Sequence, residues 1–204
     1  MKAPHLIGIA GPSGAGKTVL ARALARQLTG DAGAVVSLDA YYRDRSAIEA
    51  KDRGTLNFDI PEALDVELLL VQLRQLAAGQ AIERPLYDFR RHVRTTRTER
   101  LVPRSVVVAE GLLALHTEDL RGLFGTRVFI GTDDETCLAR RVARDARDRG
   151  RSEATVRLQW ETTVRPMFER YVKPTQLYAD LVLDGTVPLE QNVTAVLQRL
   201  PLGG

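Results

Sequence analysis

The sequence predicts an α/β fold: a three-layer sandwich around a mostly parallel five-stranded sheet. Three observations lead there. Short runs rich in valine and isoleucine alternate with longer helical patterns, as they do when strands are joined by crossover helices. The run SVVVA at 105–109 shows no polar alternation, which fits a central strand buried on both faces. A glycine-rich octet, GPSGAGKT at 11–18, separates the first apolar run from the first helical pattern.

Taken in order, strands are expected at 5–10, 34–38, 105–109, 126–130 and 180–183. Helices are expected at 16–28, 66–78, 134–149, 152–171 and 189–200. Leu20, Leu24 and Leu28 recur every fourth residue and mark one face of the first helix. Gly30 and Gly79 stand where a left-handed residue usually ends a helix. Pro166 falls inside the fourth helix and is expected to kink it or split it in two. The stretch from 84 to 100 fits neither pattern. Its strand-like pieces around 87–89 and 93–96 read as a hairpin excursion, about 81–101, carried outside the main sheet. No repeat or linker divides the chain, so its 204 residues are expected to form one domain.

Composition narrows the function classes. Net charge is +3, with 29 cationic side chains set against 26 acidic ones. That permits a nucleic-acid ligand without indicating one, because acids interrupt the basic segments and few aromatics lie among them for stacking. No apolar run approaches the roughly 18 residues needed to span a membrane. A single cysteine, Cys137, rules out an intrachain disulfide and fits a reducing compartment. A cytoplasmic protein that binds neither membrane nor nucleic acid is the expectation.

The octet satisfies G-x-x-x-x-G-K-[ST] and lies after a strand and before a helix, the context in which that pattern cradles phosphates. Gly11, Gly14 and Gly16 let backbone N–H groups curl around phosphate oxygens, with Ser13, Ala15 and Val19 alongside. Lys17 reaches the β- and γ-phosphates of a nucleoside triphosphate, and Thr18 offers its hydroxyl to Mg²⁺. The fold expectation is therefore of the P-loop NTPase type. Asp39 and Glu110 each follow a predicted strand directly. In parallel sheets ligands bind at the carboxyl ends of strands, so both acids are expected to face the loop as metal-site carboxylates, with Asp39 the better placed to take a proton. Neither N-K-x-D nor L-S-G-G-Q occurs, so neither a guanine-reading switch nor a transporter ATPase is indicated.

Six further segments carry a resemblance. SLDAYYRD (37–44), NFDIPEALD (57–65), PLYDFRRHVR (85–94), AEGLLAL (109–115), RRVARDARDRGRS (140–152) and VRPMFERYVKPTQLYADLVL (164–183) have the order and spacing of uridine-cytidine kinases. The resemblance implies transfer of the γ-phosphate of ATP, with GTP as an alternative donor, to the 5′-hydroxyl of uridine or cytidine. It also implies Mg²⁺ held by Thr18, Asp39 and Glu110, and a homotetramer. Asp39 resembles the family's base and Asp59 the acid that binds the ribose hydroxyls, with Tyr42 and Phe58 beside the sugar and base. Tyr87 and His92 correspond to hairpin residues that close over the pyrimidine. Arg141 and Arg144 resemble lid arginines (lid about 140–152) facing the acceptor and the transferring phosphate. Arg149, Arg151 and Gln159 match positions around phosphates and base.

The residues themselves agree in part. Arg141 and Arg144, three apart, share a helical face and can neutralise a phosphoryl group in flight. The same cluster also fits a solvated helix with ion pairs to Asp145 and Asp148, and that reading is taken for Arg140 and Arg147. The chain departs from the family pattern in its loop, usually GG-[ST]-ASGK, and at Cys137 and Gly131, usually an arginine and an acid. A related kinase acting on nicotinamide riboside, pantothenate or a sugar phosphate is the alternative reading.

Overall fold

In the computed structural model, which describes residues 3–29 and 35–200, the chain alternates strands and helices. β1 (His5–Ala10) leads through the glycine loop into α1 (Lys17–Thr29), and β2 (Val35–Ser37) follows. The short α2 (Ala50–Arg53) and the longer α3 (Val66–Ala77) precede an antiparallel pair, β3 (Ile82–Asp88) and β4 (Val93–Leu101). Then come β5 (Val106–Glu110), α4 (Glu118–Leu123), β6 (Thr126–Gly131) and α5 (Asp134–Arg149). A long helical path from α6 (Glu153–Gln159) through α7 (Arg165–Met167) leads to β7 (Leu181–Asp184) and α8 (Leu189–Leu197).

β2, β5, β1, β6 and β7 form the main sheet in that order, and every pairing is parallel. The expected strand and helix positions are met to within a few residues. Gly30 and the start of the 34–38 strand lie outside the described residues. Alternation along the strands sorts the core into two layers. Leu6, Ala10, Val107 and Ala109 face one side with Leu69, Leu73 and Leu76 of α3. Ile7, Ile9, Val106 and Val108 face the other with Leu20 and Leu24 of α1 and Val193 and Val196 of α8. The three-layer sandwich follows from two helix layers covering a sheet that is apolar on both faces.

Gly79 ends α3 with φ 77°, and its N–H bonds to the Leu76 carbonyl. Pro166 does not break its helix. The path stays helical through residues 153–172 but widens into π turns at Trp160–Val164 and Phe168–Val172. The Arg165 N–H reaches back five residues to Trp160, and the Lys173 N–H to Phe168. Those wider turns on either side accommodate a ring that would otherwise strike the carbonyl four residues before it.

The excursion is a two-stranded hairpin in which Tyr87 pairs with Arg94 and Asp88 with Val93. Its strands are longer than the pieces expected at 87–89 and 93–96. Asp88 accepts from the N–H groups of Arg90 and Arg91 at the tip, and His92 completes the turn at φ 54°. Arg94 anchors the hairpin to the body. Its guanidinium donates to the carbonyls of Tyr41 and Tyr42, at 3.2 Å each, and to Asp65 at 3.0 Å.

Candidate active site

The glycine loop lies at the carboxyl end of β1, the middle strand. Gly11, Gly14 and Gly16 have φ of 144°, 91° and 97°, a region where an L side chain is strained. Space is short as well: a Cβ on Gly11 would meet the Ile130 carbonyl oxygen, and one on Gly14 that of Cys137. Lys17 is buried, and its ammonium donates to the Pro12 carbonyl at 2.8 Å. Burial lowers its pKa, while Glu110 and Asp39 pull it back up.

Glu110 ends β5, the strand between β2 and β1, and is 3% exposed. The Thr18 hydroxyl donates to its Oε1 at 3.2 Å. Burial and the charge of Asp39 raise the Glu110 pKa, against the pull of Lys17 and of hydrogen bonds from Ser37 and Thr18. Asp39 is the second residue of the 3₁₀ turn Leu38–Tyr41 that follows β2. It interacts electrostatically with Lys17 and Glu110 on the loop side, and with Tyr42 and Asp59 on the other. The Tyr42 hydroxyl donates to Asp39 at 3.3 Å. A hydroxyl and two carboxylates form a hard oxygen set, and with the tight backbone cradle they fit Mg²⁺ and a phosphate chain.

Beyond Asp39 the wall turns aromatic. Tyr42 meets Phe58 and Tyr87 edge to face, with centroids 5.2 and 5.4 Å apart, and Phe58 stacks on His92 at 5.1 Å. Asp59 is buried beside them, and burial raises its pKa against the pull of Arg141. The Tyr87 hydroxyl is buried without a hydrogen-bond partner among the described residues. Arg151 Nη2 lies 3.2 Å from His92 Nε2. A guanidinium only donates, so that Nε2 accepts and the neutral ring carries its proton on Nδ1. Burial, with Arg151 and Arg149, lowers the His92 pKa and favours this neutral form.

α5 and the turn that follows it supply the arginines. Arg141 Nη1 donates to Ser13 Oγ in the glycine loop at 2.9 Å, while its buried Nε has no hydrogen bond among the described residues. Arg144 and Arg149 stand on the same wall, Arg149 also lying 5.0 Å from the Phe89 ring centroid. Arg151 donates to Gln159 at 3.2 Å. All these groups line one cavity of about 650 Å³ that reaches from the glycine loop to the aromatic box, and Val19 lines it too. Gly11 and Ala15 shape the loop without facing the cavity.

Some placements differ from the sequence reading. Arg147 does pair with Asp148 on the surface, at 2.7 Å, yet it also borders the cavity. Arg140, expected in helix ion pairs, instead donates to the carbonyls of Gly14 and Gly185, at 3.4 and 3.0 Å. Asp145, expected on a solvated face, is fully buried among arginines. Phe89 lines the cavity as well, and its place in the YDF run was the available signal.

Known proteins place this arrangement. The profile of the Phosphoribulokinase / Uridine kinase family matches residues 6–191. A uridine kinase of Ligilactobacillus salivarius (strain UCC118) is 39% identical over 95% of this chain and 92% of its own length. A uridine kinase of Brevibacillus brevis (strain 47 / JCM 6285 / NBRC 100599) is 41% identical over 88% and 84%. Among solved structures, phosphoribulokinase from Rhodobacter spheroides shares the fold with a TM-score of 0.62, at 17% identity over 93% of this chain and 75% of that one. A match of this extent, on a chain whose glycine loop and strand-end acids line one cavity, shows that the chain belongs to the phosphoribulokinase/uridine kinase family of phosphotransferases.

Proposed function

We propose that the protein transfers the γ-phosphate of ATP to the 5′-hydroxyl of uridine or cytidine. One observation carries this reading: a single cavity joins the phosphate cradle to an aromatic box, and Asp39 interacts with charged groups on both sides. Nucleoside dimensions suit a volume of this size. The curated relatives, named uridine kinases, favour uridine over nicotinamide riboside, pantothenate or a sugar phosphate as acceptor.

In this reading the pyrimidine lies among Phe58, Tyr87 and His92, and Asp59 accepts hydrogen bonds from the ribose hydroxyls. That leaves the 5′-hydroxyl facing Asp39, whose carboxylate takes the proton as the oxygen attacks phosphorus. Thr18, Glu110 and Asp39 would hold Mg²⁺, which neutralises phosphate charge when bound. Lys17, Arg141 and Arg144 supply fixed positive charge where the phosphoryl group passes, so little reorganisation is needed at the moment of transfer. The hairpin and the α5 arginines close the cavity against water, which suppresses wasteful hydrolysis. Arg90 at the hairpin tip already donates to the Asp148 carbonyl at 3.1 Å.

The test is ADP release measured with uridine, cytidine, adenosine, nicotinamide riboside and pantothenate in turn, with ATP and with GTP. Uridine or cytidine should raise the rate far above the others. A larger response to nicotinamide riboside or pantothenate would overturn the assignment. A cytoplasmic homotetramer completes the proposal, and sedimentation of the purified protein reports the subunit count.

A further inference from the structure

Asp145 has no exposed surface, yet four guanidinium groups surround its carboxylate. Arg144 approaches at 2.8 Å and Arg151 at 3.0 Å, with Arg149 at 3.7 Å and Arg141 at 4.0 Å. Burial penalises the charged acid, but Arg144, Arg149 and Arg141 outweigh it and hold the carboxyl below the ordinary range. Each of these arginines lines the active cavity. Two of them also hold a second part of the site, and Arg149 lies against the Phe89 ring. Arg141 reaches Ser13 of the glycine loop, and Arg151 reaches His92 of the hairpin and Gln159 of α6. The buried Arg141 Nε has no hydrogen-bond partner among the described residues and faces Asp145 at 4.0 Å.

One carboxylate thus gathers four cations from a single helix and its C-terminal turn, where the Arg151 N–H also bonds to the Asp145 carbonyl. Without it, four like charges would crowd one wall and repel each other. With it, they retain a net excess of positive charge directed at the cavity.

We infer that Asp145 is a positioning residue that preassembles Arg141, Arg144, Arg149 and Arg151 around the transferring phosphate and the nucleoside, without touching either. This rests on the kinase reading above. Preassembly matters because a donor already aimed at the developing charge acts without first being moved into place. The same carboxylate couples the two ends of the cavity, since Arg141 serves the phosphate loop and Arg151 the hairpin.

The test is steady-state kinetics of Asp145→Asn with ATP and uridine, beside a thermal melt. Positioning predicts a kcat at least tenfold lower together with KM values for ATP and uridine each at least threefold higher. A role confined to folding lowers the amount of active enzyme, and so the apparent kcat, with both KM values unchanged. That outcome overturns the inference, as do wild-type constants. If Asp145→Asn does not fold, Asp145→Glu keeps the charge but moves it by one methylene. Raised KM values in that variant support positioning, and wild-type values refute it. Wild-type protein that releases no ADP with any acceptor overturns the kinase reading itself, which separates the two failures.

Discussion

The Thr18 hydroxyl donates to Glu110 at 3.2 Å, joining the first turn of α1 to the carboxyl end of β5. This contact ties the phosphate loop to the buried acid beneath it. Glu110→Gln keeps the shape and removes the charge. Turnover should fall by about two orders of magnitude at fixed Mg²⁺, and the Mg²⁺ concentration giving half-maximal rate should rise several-fold. A Mg²⁺ titration that overlays the wild type would show that Glu110 plays no part in holding the metal.

Asp39 stands where the loop side of the cavity meets the aromatic side. Asp39→Asn should lower kcat by about 10²- to 10⁴-fold while ATP binding stays within a few-fold of wild type. Equilibrium binding of a fluorescent ATP analogue alongside turnover checks both halves. Near-normal turnover would remove Asp39 from the role of base.

His92 is held neutral by burial and by its arginine neighbours, with its pKa below the ordinary 6.5. Between that lowered value and 6.5, the unfolded chain takes up a proton that the folded chain refuses. Stability therefore rises with pH across this window and is lost as pH falls through it. His5, also lowered by burial, contributes with the same sign. His92→Ala should flatten part of this dependence in thermal melts at pH 5 to 7, and should raise the uridine KM more than it lowers kcat. Melting curves with unchanged pH dependence would show that the imidazole is not held neutral.

Gly14 combines φ 91° with a backbone oxygen of Cys137 at the place of a missing Cβ. Gly14→Ala should cost about 1–2 kcal/mol in the left-handed conformation alone, with a further cost from displacing the α5 backbone. ATP affinity should fall at least tenfold while nucleoside binding changes little, and isothermal titration with each ligand separates the two. Equal losses for both ligands would contradict a local effect.

What could be read from sequence was local. The strand β1 and the helix α5 lie where apolar runs and caps put them, because a period of two or of 3.6 is written in consecutive residues. The glycine loop and the strand-end acids were legible because their positions relative to predicted strands fix where they point. Asp145 was not, since its four-residue spacing from Arg141 and Arg149 is the same in a buried cluster and in a surface ion pair. The contact between Arg151 and His92 spans 59 residues and depends on how the hairpin folds over α5. Arg140 was misjudged because its partners are backbone carbonyls, which no side-chain pattern reveals.

The two wide turns around Pro166 alter the phase of the helix that carries them. Val156 before the first turn, and Trp160 and Val164 within it, face inward, and Trp160 and Val164 pack with the α1 side of the core. Within the second, Val172 belongs to the opposite layer, and Phe168 and Tyr171 pack against that layer. One rod thus fastens both faces of the sheet, and its extra residues set the angular offset between its two grips. Deleting a single residue from either turn would rotate everything downstream by about 100°, swinging Val172 out of its layer although no buried side chain had been replaced. In this segment, residue count constrains the fold as tightly as residue identity does.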